Sequence, residues 1–174
     1  MDIIQFCSDI VGKIRFGLTA QECKDGIEEI CRFFGIATPI LIEDMTYNQG
    51  ETCVINGNPE TTEDDILIYN LKQLREMGVT DKISFMLVMT HECAHRAFQN
   101  DWFPGPDLGQ WEKELCSDFF MGVKAGLENW DITNVLNALS QTAGCGTHPK
   151  GSLRRDYMIK GKNAAYFNRI KGRC

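Results

Sequence analysis

The feature that most constrains this chain is the pattern His-Glu-x-x-His at residues 91–95. Thr80 or Asp81 is placed to cap a helix that runs through about Gln99, so the pattern is predicted to lie on that helix. Residues four apart share a helix face, with their Cβ atoms about 5–6 Å apart. Two imidazoles at this spacing can bind one zinc ion, for which Zn–N bonds are about 2.0–2.1 Å long.

Glu92 lies directly after the first histidine of the pattern. It can point into the same cleft without binding the metal, and there it can take a proton from a zinc-bound water. Zinc lowers the pKa of such a water to about 7, so a carboxylate can complete its activation near neutral pH. The alternative is a pair of surface histidines on an amphipathic helix, but the chain has only three histidines, which makes a chance match rare.

A catalytic zinc ion needs a third protein ligand and an open fourth position. The next predicted helix, from about 108 to 127, contains Glu114 and Asp118, which are four apart and therefore on one face. Glu114 can complete the metal site, and Asp118 can reach a ring N–H of a ligand histidine and fix its tautomer. The alternative is that both are solvated helix acids, like Glu112.

The third informative segment is Gly-Thr-His-Pro at residues 146–149, followed by Arg154. A histidine on a turn rich in glycine and proline is well placed to enter a cleft. The imidazolium of His148 can stabilise the oxyanion of a tetrahedral intermediate. From the residues alone, a helix-capping or simply exposed His148 remains open.

Taken in order, three patterns of this chain resemble the gluzincin metallopeptidases: His-Glu-x-x-His, Glu-Leu-x-x-Asp-x-Phe-x-Gly and Gly-Thr-His-Pro-x-x-x-x-Arg. The chain is similar both to the CAAX-prenyl-protease and heat-shock-protein-X type and to the soluble neutral zinc metallopeptidases. The resemblance covers roughly residues 38–165. It implies that His91, His95 and Glu114 bind one zinc ion, and that Glu92 is the base and later the acid.

The same resemblance implies three supporting roles. His148 stabilises the transition state, Asp118 orients a ligand histidine, and Arg154 supports the turn that carries His148, by pairing with Asp118 or with another buried acid. The membrane members of the family contain transmembrane helices, whereas this chain has no apolar run of the necessary length of about 18–20 residues. A prenylated membrane substrate is therefore not implied.

The order of the predicted elements indicates an α+β fold. Helical spacing is found at residues 3–16 and 19–34, and three short runs rich in Ile and Val, at 39–44, 52–56 and 65–70, are predicted strands. The resemblance implies a zincin-like (gluzincin) domain. In that domain the small three-stranded sheet and the motif helix form one side of a cleft, and the C-terminal helices form the other.

We predict a single metallopeptidase domain over residues 1–174. Its parts are the N-terminal helices at residues 1–36, the sheet with the motif helix at 37–100, and a C-terminal helical part at 101–174 that supplies the third ligand. A loop is expected at 102–106, where two prolines occur, and later helices at about 131–143 and from Ser152.

Composition limits the location and the partners of the chain. An acidic residue near the N-terminus stands where a signal peptide has Lys or Arg, so we expect a soluble, cytoplasmic protein, with export by a specialised system left open. The net charge is −6, yet the segment from Lys150 onward is basic. The acidic remainder would repel a phosphate backbone, so no nucleic-acid partner is predicted.

The eight cysteines form no Cys-x-x-Cys pair and are expected to be mostly reduced and buried.

The sequence therefore predicts a zinc-dependent metalloendopeptidase with one catalytic Zn²⁺ and a protein or peptide substrate. Three alternatives remain at this point. The first is a zinc-binding regulatory protein without turnover, and the second is a hydrolase of another amide bond. The third is a small binding module whose basic C-terminal segment contacts nucleic acid.

Overall fold

The computed structural model describes residues 20–43, 53–56, 66–70, 74, 76, 78–99 and 108–171. The elements in these ranges, in chain order, are α1 (Ala20–Phe34), β1 (Ile40–Glu43), β2 (Cys53–Asn56), β3 (Ile66–Tyr69), α2 (Lys82–Gln99), α3 (Gln110–Glu128), α4 (Thr133–Ser140) and α5 (Gly151–Lys171). The helix predicted over residues 3–16 and the loop predicted over 102–106 lie outside the described residues.

The described part of the chain is mainly helical, and the expected α+β class is wrong. Its five helices contain 8 to 21 residues each, whereas β1, β2 and β3 contain four residues each. β3 lies between the other two, parallel to β1 and antiparallel to β2. A strand of four residues presents only about two side chains to each face, so the helices must supply most of the buried apolar surface.

The cleft is also built differently from the expectation. None of the described strand residues lines the cavity beside His91 and Glu92, whose walls come from helices and from the segments that join them. The short strands instead lie beside α2, where the ring of Tyr69 packs on the ring of Phe85 with centroids 5.5 Å apart. The predicted role of the sheet as one side of the cleft is therefore wrong.

Helix α2 occupies the centre of the described structure. One side of it joins α1 and β3 in a core that includes Phe34, Leu67 and Phe85. The other side, at Leu87, belongs to a second core shared with α3, α4 and α5. A helix that is buried on two sides has its position set by packing, so the motif residues on α2 are held firmly.

The start of α2 is capped as the sequence predicted. The Asp81 carboxylate accepts hydrogen bonds from the backbone N–H of Ser84 at 2.9 Å and from its hydroxyl at 2.7 Å. Asp81 also accepts a 2.7 Å hydrogen bond from the side-chain amide of Asn134. The cap of α2 therefore also holds α4 in place.

Helix α1 lies within the segment 19–34 that shows helical spacing, and it ends at Phe34, directly before Gly35. Gly35 has φ = 65°, a left-handed conformation that glycine adopts without strain. The next backbone N–H, of Ile36, donates to the carbonyl oxygen of Cys31 at 3.0 Å. The buried face of α1, which includes Ile30 and Phe34, is thereby directed at α2.

Helices α3 and α5 approach each other so closely that glycine is required between them. A Cβ atom on Gly122 would overlap the carbonyl oxygen of Met158, and one on Gly161 would overlap the backbone of α3. One turn before this contact, α3 carries Asp118 and α5 carries Arg154. The close approach therefore brings these two charged side chains together.

The substitution Gly122→Ala is expected to lower the free energy of unfolding by about 1–3 kcal/mol, because the added methyl group forces α3 and α5 apart. Denaturation in urea would measure the change. Gly146→Ala is the matched control, since a Cβ atom there meets nothing within 4 Å. Equal stability of Gly122→Ala and wild type would show that the two helices are not in this close contact.

None of the helices in the described ranges is long and apolar enough to cross a membrane.

Candidate metal centre

Three side chains from two helices converge on one point. His91 and His95 on α2 have their Nε2 atoms 3.0 Å apart. On α3, Glu114 places Oε2 3.4 Å from Nε2 of His91 and Oε1 3.2 Å from Nε2 of His95. Tetrahedral zinc with bonds of about 2.0–2.1 Å has ligand atoms about 3.3 Å apart. These three residues can therefore hold one metal ion with little movement.

The burial of these ligands indicates that something must satisfy their polar atoms. His91 is 7 % exposed and Glu114 is 3 % exposed. The Oε2 atom of Glu114 is buried and has no hydrogen-bond partner. An unsatisfied buried acceptor costs about 1–3 kcal/mol, and a bound cation would remove that cost. The residues present thus fit the metal that the sequence predicts.

Asp118 lies on the outer side of the His91 ring. Its Oδ1 atom is 3.0 Å from Nδ1 of His91, although the N–H is not aligned well enough to form a full hydrogen bond. Asp118 also accepts two hydrogen bonds from Arg154, at 2.8 Å from Nε and 3.0 Å from Nη2. This arrangement keeps Nε2 of His91 directed at Glu114, as a metal ligand requires.

The electrostatic field at His91 favours positive charge, whereas burial lowers the pKa of His95. Burial lowers the pKa of His91, but the carboxylates of Asp118 and Glu114 outweigh it and raise that pKa to about 9. Burial raises the pKa of Glu114, yet contacts with His91 and His95 outweigh it and hold that pKa well below its usual range. A metal cation would take the place of the proton on the imidazole pair.

Two further predicted site residues lie beside the ligands. Glu92 and His148 line a cavity of about 490 Å³, which His91 and Arg154 also line. Nε2 of His148 is 3.6 Å from Oε1 of Glu114, and 46 % of the His148 side chain is exposed. All seven residues predicted for the site, from α2, α3, α5 and the turn before α5, are therefore within one small region.

Two neighbours of the site are not among the seven residues predicted to form it. The indole N–H of Trp111, one turn before Glu114 on α3, donates a 3.1 Å hydrogen bond to the carbonyl oxygen of Gly146. Cys145 lies in the same turn, with Sγ 3.2 Å from the hydroxyl of Thr147 and 3.6 Å from Nδ1 of His148. The sequence signal for Trp111 is its position one helical turn before Glu114. The signal for Cys145 is its position three residues before His148.

Cys145 is expected to react with iodoacetamide as a thiolate at neutral pH. The hydrogen bond from Thr147, with that from His148, lowers the pKa of Cys145 to about 6. Because the thiolate is the nucleophile, the rate constant should rise with pH and reach half its maximum near pH 6, against about 8.5 for an ordinary cysteine. Peptide mass mapping after timed labelling would follow this one residue.

Two controls accompany the labelling. Thr147→Val removes the hydroxyl and should move the half-maximal rate to higher pH. Cys116 serves as an internal reference, because burial raises the pKa of its thiol and should make it slow at neutral pH. An unshifted profile for Cys145 in wild type would contradict the hydrogen-bonded turn.

Comparisons of the chain with models of protein families, with curated proteins and with solved structures found no match. Any functional assignment therefore depends on the chemistry and geometry of the site itself. In this protein those are a cluster of possible metal ligands, a neighbouring carboxylate and a cavity that adjoins both.

Proposed function

We propose that this chain is a zinc-dependent metalloendopeptidase that hydrolyses peptide bonds of a protein or peptide substrate. The observation that carries the proposal is the convergence of His91, His95 and Glu114 beside a cavity lined by Glu92. Three protein ligands and an open side are typical of catalytic zinc sites, whereas structural sites have four protein ligands. Two imidazoles and one glutamate carboxylate are one of the ligand sets that catalytic zinc ions use.

When bound to His91, His95 and Glu114, zinc supplies Lewis acidity and lowers the pKa of water at the site. Glu92 follows His91 on α2 and is only partly buried, so its carboxylate can meet a water molecule in the cavity. In the proposed reaction, Glu92 accepts the proton of the attacking water. It then donates that proton to the amine that leaves the cleaved peptide bond.

His148, in the turn before α5, and Arg154, on α5, line the same cavity as Glu92. The exposed imidazole of His148 can donate a hydrogen bond to the oxyanion as the substrate carbonyl becomes tetrahedral. Burial lowers the pKa of Arg154, but Asp118, Glu114 and Glu92 outweigh it and raise that pKa, so the guanidinium stays charged. Arg154 holds Asp118 in position behind His91 and balances the acids of the site.

The first test combines metal content with cleavage of casein, an unstructured substrate. The protein is expected to bind about one zinc ion per chain and to cut casein, and a chelator should abolish the cutting until zinc is restored. Glu114→Gln should weaken zinc binding by more than about 10-fold, since even partners that only support a ligand contribute 10- to 100-fold. Glu112→Gln is the control, because Glu112 is an exposed acid on the same helix.

The outcomes separate the alternatives. Zinc binding without cleavage of any peptide would favour a zinc-binding regulatory protein or a hydrolase of another amide bond. Equal zinc binding by Glu114→Gln and wild type would exclude Glu114 as a ligand. Failure of wild type to bind zinc would overturn the proposal.

A further inference from the structure

The cavity beside the ligands extends well past Glu92 and His148. Its volume is about 490 Å³, which is within the range of about 300–1,000 Å³ found for pockets that enclose a small ligand. Glu92 and His148 line it, and so do three residues of α4, Val135, Ala138 and Leu139. We call the part between Val88 and α4 the apolar chamber. It is continuous with the site where the bond would be cleaved.

The walls of the apolar chamber are mainly hydrocarbon. Its lining includes Leu74, Val79, Val88, Met121, Val135 and Leu139, together with the smaller Ala138. Five of these side chains, at residues 74, 79, 121, 135 and 139, are at least nine-tenths buried in the folded chain. Water in such a space has few polar partners, so filling it with an apolar group is favourable.

The charged groups around the chamber offer little to an acidic guest. The basic side chains on the cavity lining are those of His91, His148 and Arg154, and the acidic ones are those of Glu76 and Glu92. Each basic group already faces a carboxylate: Arg154 and His91 face Asp118, and His148 faces Glu114. An acidic side chain would lose its hydration against the apolar walls, whereas an uncharged apolar side chain has no such cost.

Helix α4 forms one wall of the cavity and is held in place by polar and apolar contacts. The side-chain amide of Asn134 donates to the cap residue Asp81 of α2 at 2.7 Å. Val135 and Leu139 join the second core with Leu87 of α2. On the same helix, Ala138 is only partly buried and has a single methyl group, so the chamber is open at that position.

We propose that the apolar chamber receives a bulky apolar side chain of the substrate, adjacent to the bond that is cleaved, and that Ala138 determines how large that side chain can be. The inference rests on the proposed function, because it names the substrate class of the same site. Peptides with Leu or Phe at one position are therefore the expected substrates. Peptides with Ala or Asp at that position are expected to be poor ones.

A peptide series tests the preference directly. The peptides share a Gly- and Ser-rich frame and differ only at one central residue, which is Ala, Leu, Phe or Asp. The zinc-loaded enzyme is expected to show a kcat/KM at least 10-fold higher for Leu and Phe than for Ala, since a single methylene in an apolar pocket changes the ratio by about 10- to 200-fold. Mass spectrometry of the products identifies which bond is cut.

Variants of the chamber show where the preference arises. Ala138→Phe should fill the space and lower kcat/KM for the Phe peptide to about the value for the Ala peptide. Val88→Phe narrows the chamber from α2 and should have the same effect if Ala138→Phe does not fold. Asn137→Phe is the matched control, because Asn137 is exposed on the same helix.

Binding provides a readout that does not depend on turnover. Fluorescence anisotropy should show that zinc-loaded Glu92→Gln binds the Phe peptide at least about 10-fold more tightly than the Ala peptide. In the double variant that also carries Ala138→Phe, this difference in affinity should disappear. If wild type cuts all four peptides at similar rates, the inference is overturned and the proposed function stands. If nothing is cut but the binding preference depends on Ala138, the chamber is supported and the peptidase function fails. Equal binding of all peptides overturns the inference.

Discussion

Replacing Glu92 by Gln is expected to lower kcat/KM for peptide hydrolysis by about 10²- to 10⁴-fold, the usual contribution of a general base. The amide has nearly the shape of the carboxylate but cannot accept the proton of the attacking water at neutral pH. Glu92 is not among the three residues that converge on the metal position. The zinc content of Glu92→Gln should therefore equal that of wild type, and the loss should be mainly in kcat.

The matched control for Glu92→Gln is Glu112→Gln, which makes the same chemical change at an exposed position of α3. It should leave kcat/KM unchanged. Both variants need the same zinc analysis and the same denaturation curve as wild type. Full activity in zinc-loaded Glu92→Gln would assign the role of the base to another group.

Replacing Asp118 by Ala is expected to lower the free energy of unfolding by about 3–5 kcal/mol, the usual cost of breaking a buried ion pair from one side. The side chain of Asp118 is 0 % exposed and that of its partner Arg154 is 13 % exposed. Without Asp118, the guanidinium keeps its charge in a nearly dry environment and loses two hydrogen bonds. His91 also loses the carboxylate that faces its Nδ1 atom.

Two further variants separate these effects of Asp118. Asp118→Ala combined with Arg154→Leu removes both charges and should recover part of the lost stability, since an apolar replacement of a buried pair is often nearly neutral. Zinc affinity should still fall by about 10- to 100-fold in the double variant, because His91 is no longer oriented. An Asp118→Ala variant as stable as wild type would mean that the pair is not buried in solution.

The spacing of the site residues was predictable because it is local. Residues four apart share a helix face whatever the rest of the chain does, so the pairings of His91 with His95 and of Glu114 with Asp118 followed from the sequence. The cap of α2 at Asp81 and the end of α1 at Gly35 were predictable for the same reason. Each depends on hydrogen bonds between residues that are close along the chain.

The predicted fold class was wrong because the length of a helix or strand does not depend on its local sequence alone. Runs of Ile and Val predicted strands, and short strands are present, but four residues each cannot form a wall of the cleft. The helices extend over more of the described chain and bury both sides of α2. A pattern of apolar residues predicts the type of an element better than it predicts what the element packs against.

The sequence by itself determined which side chains stand together on each helix, because a helix repeats every 3.6 residues independently of its surroundings. Only the tertiary structure decided that the two faces meet. The backbone contact at Gly122 brings Arg154 on α5 to Asp118 on α3. Packing also decided that Cys145 and an apolar chamber adjoin the site. Such contacts join residues far apart along the chain, so they depend on how the whole set of helices fills space.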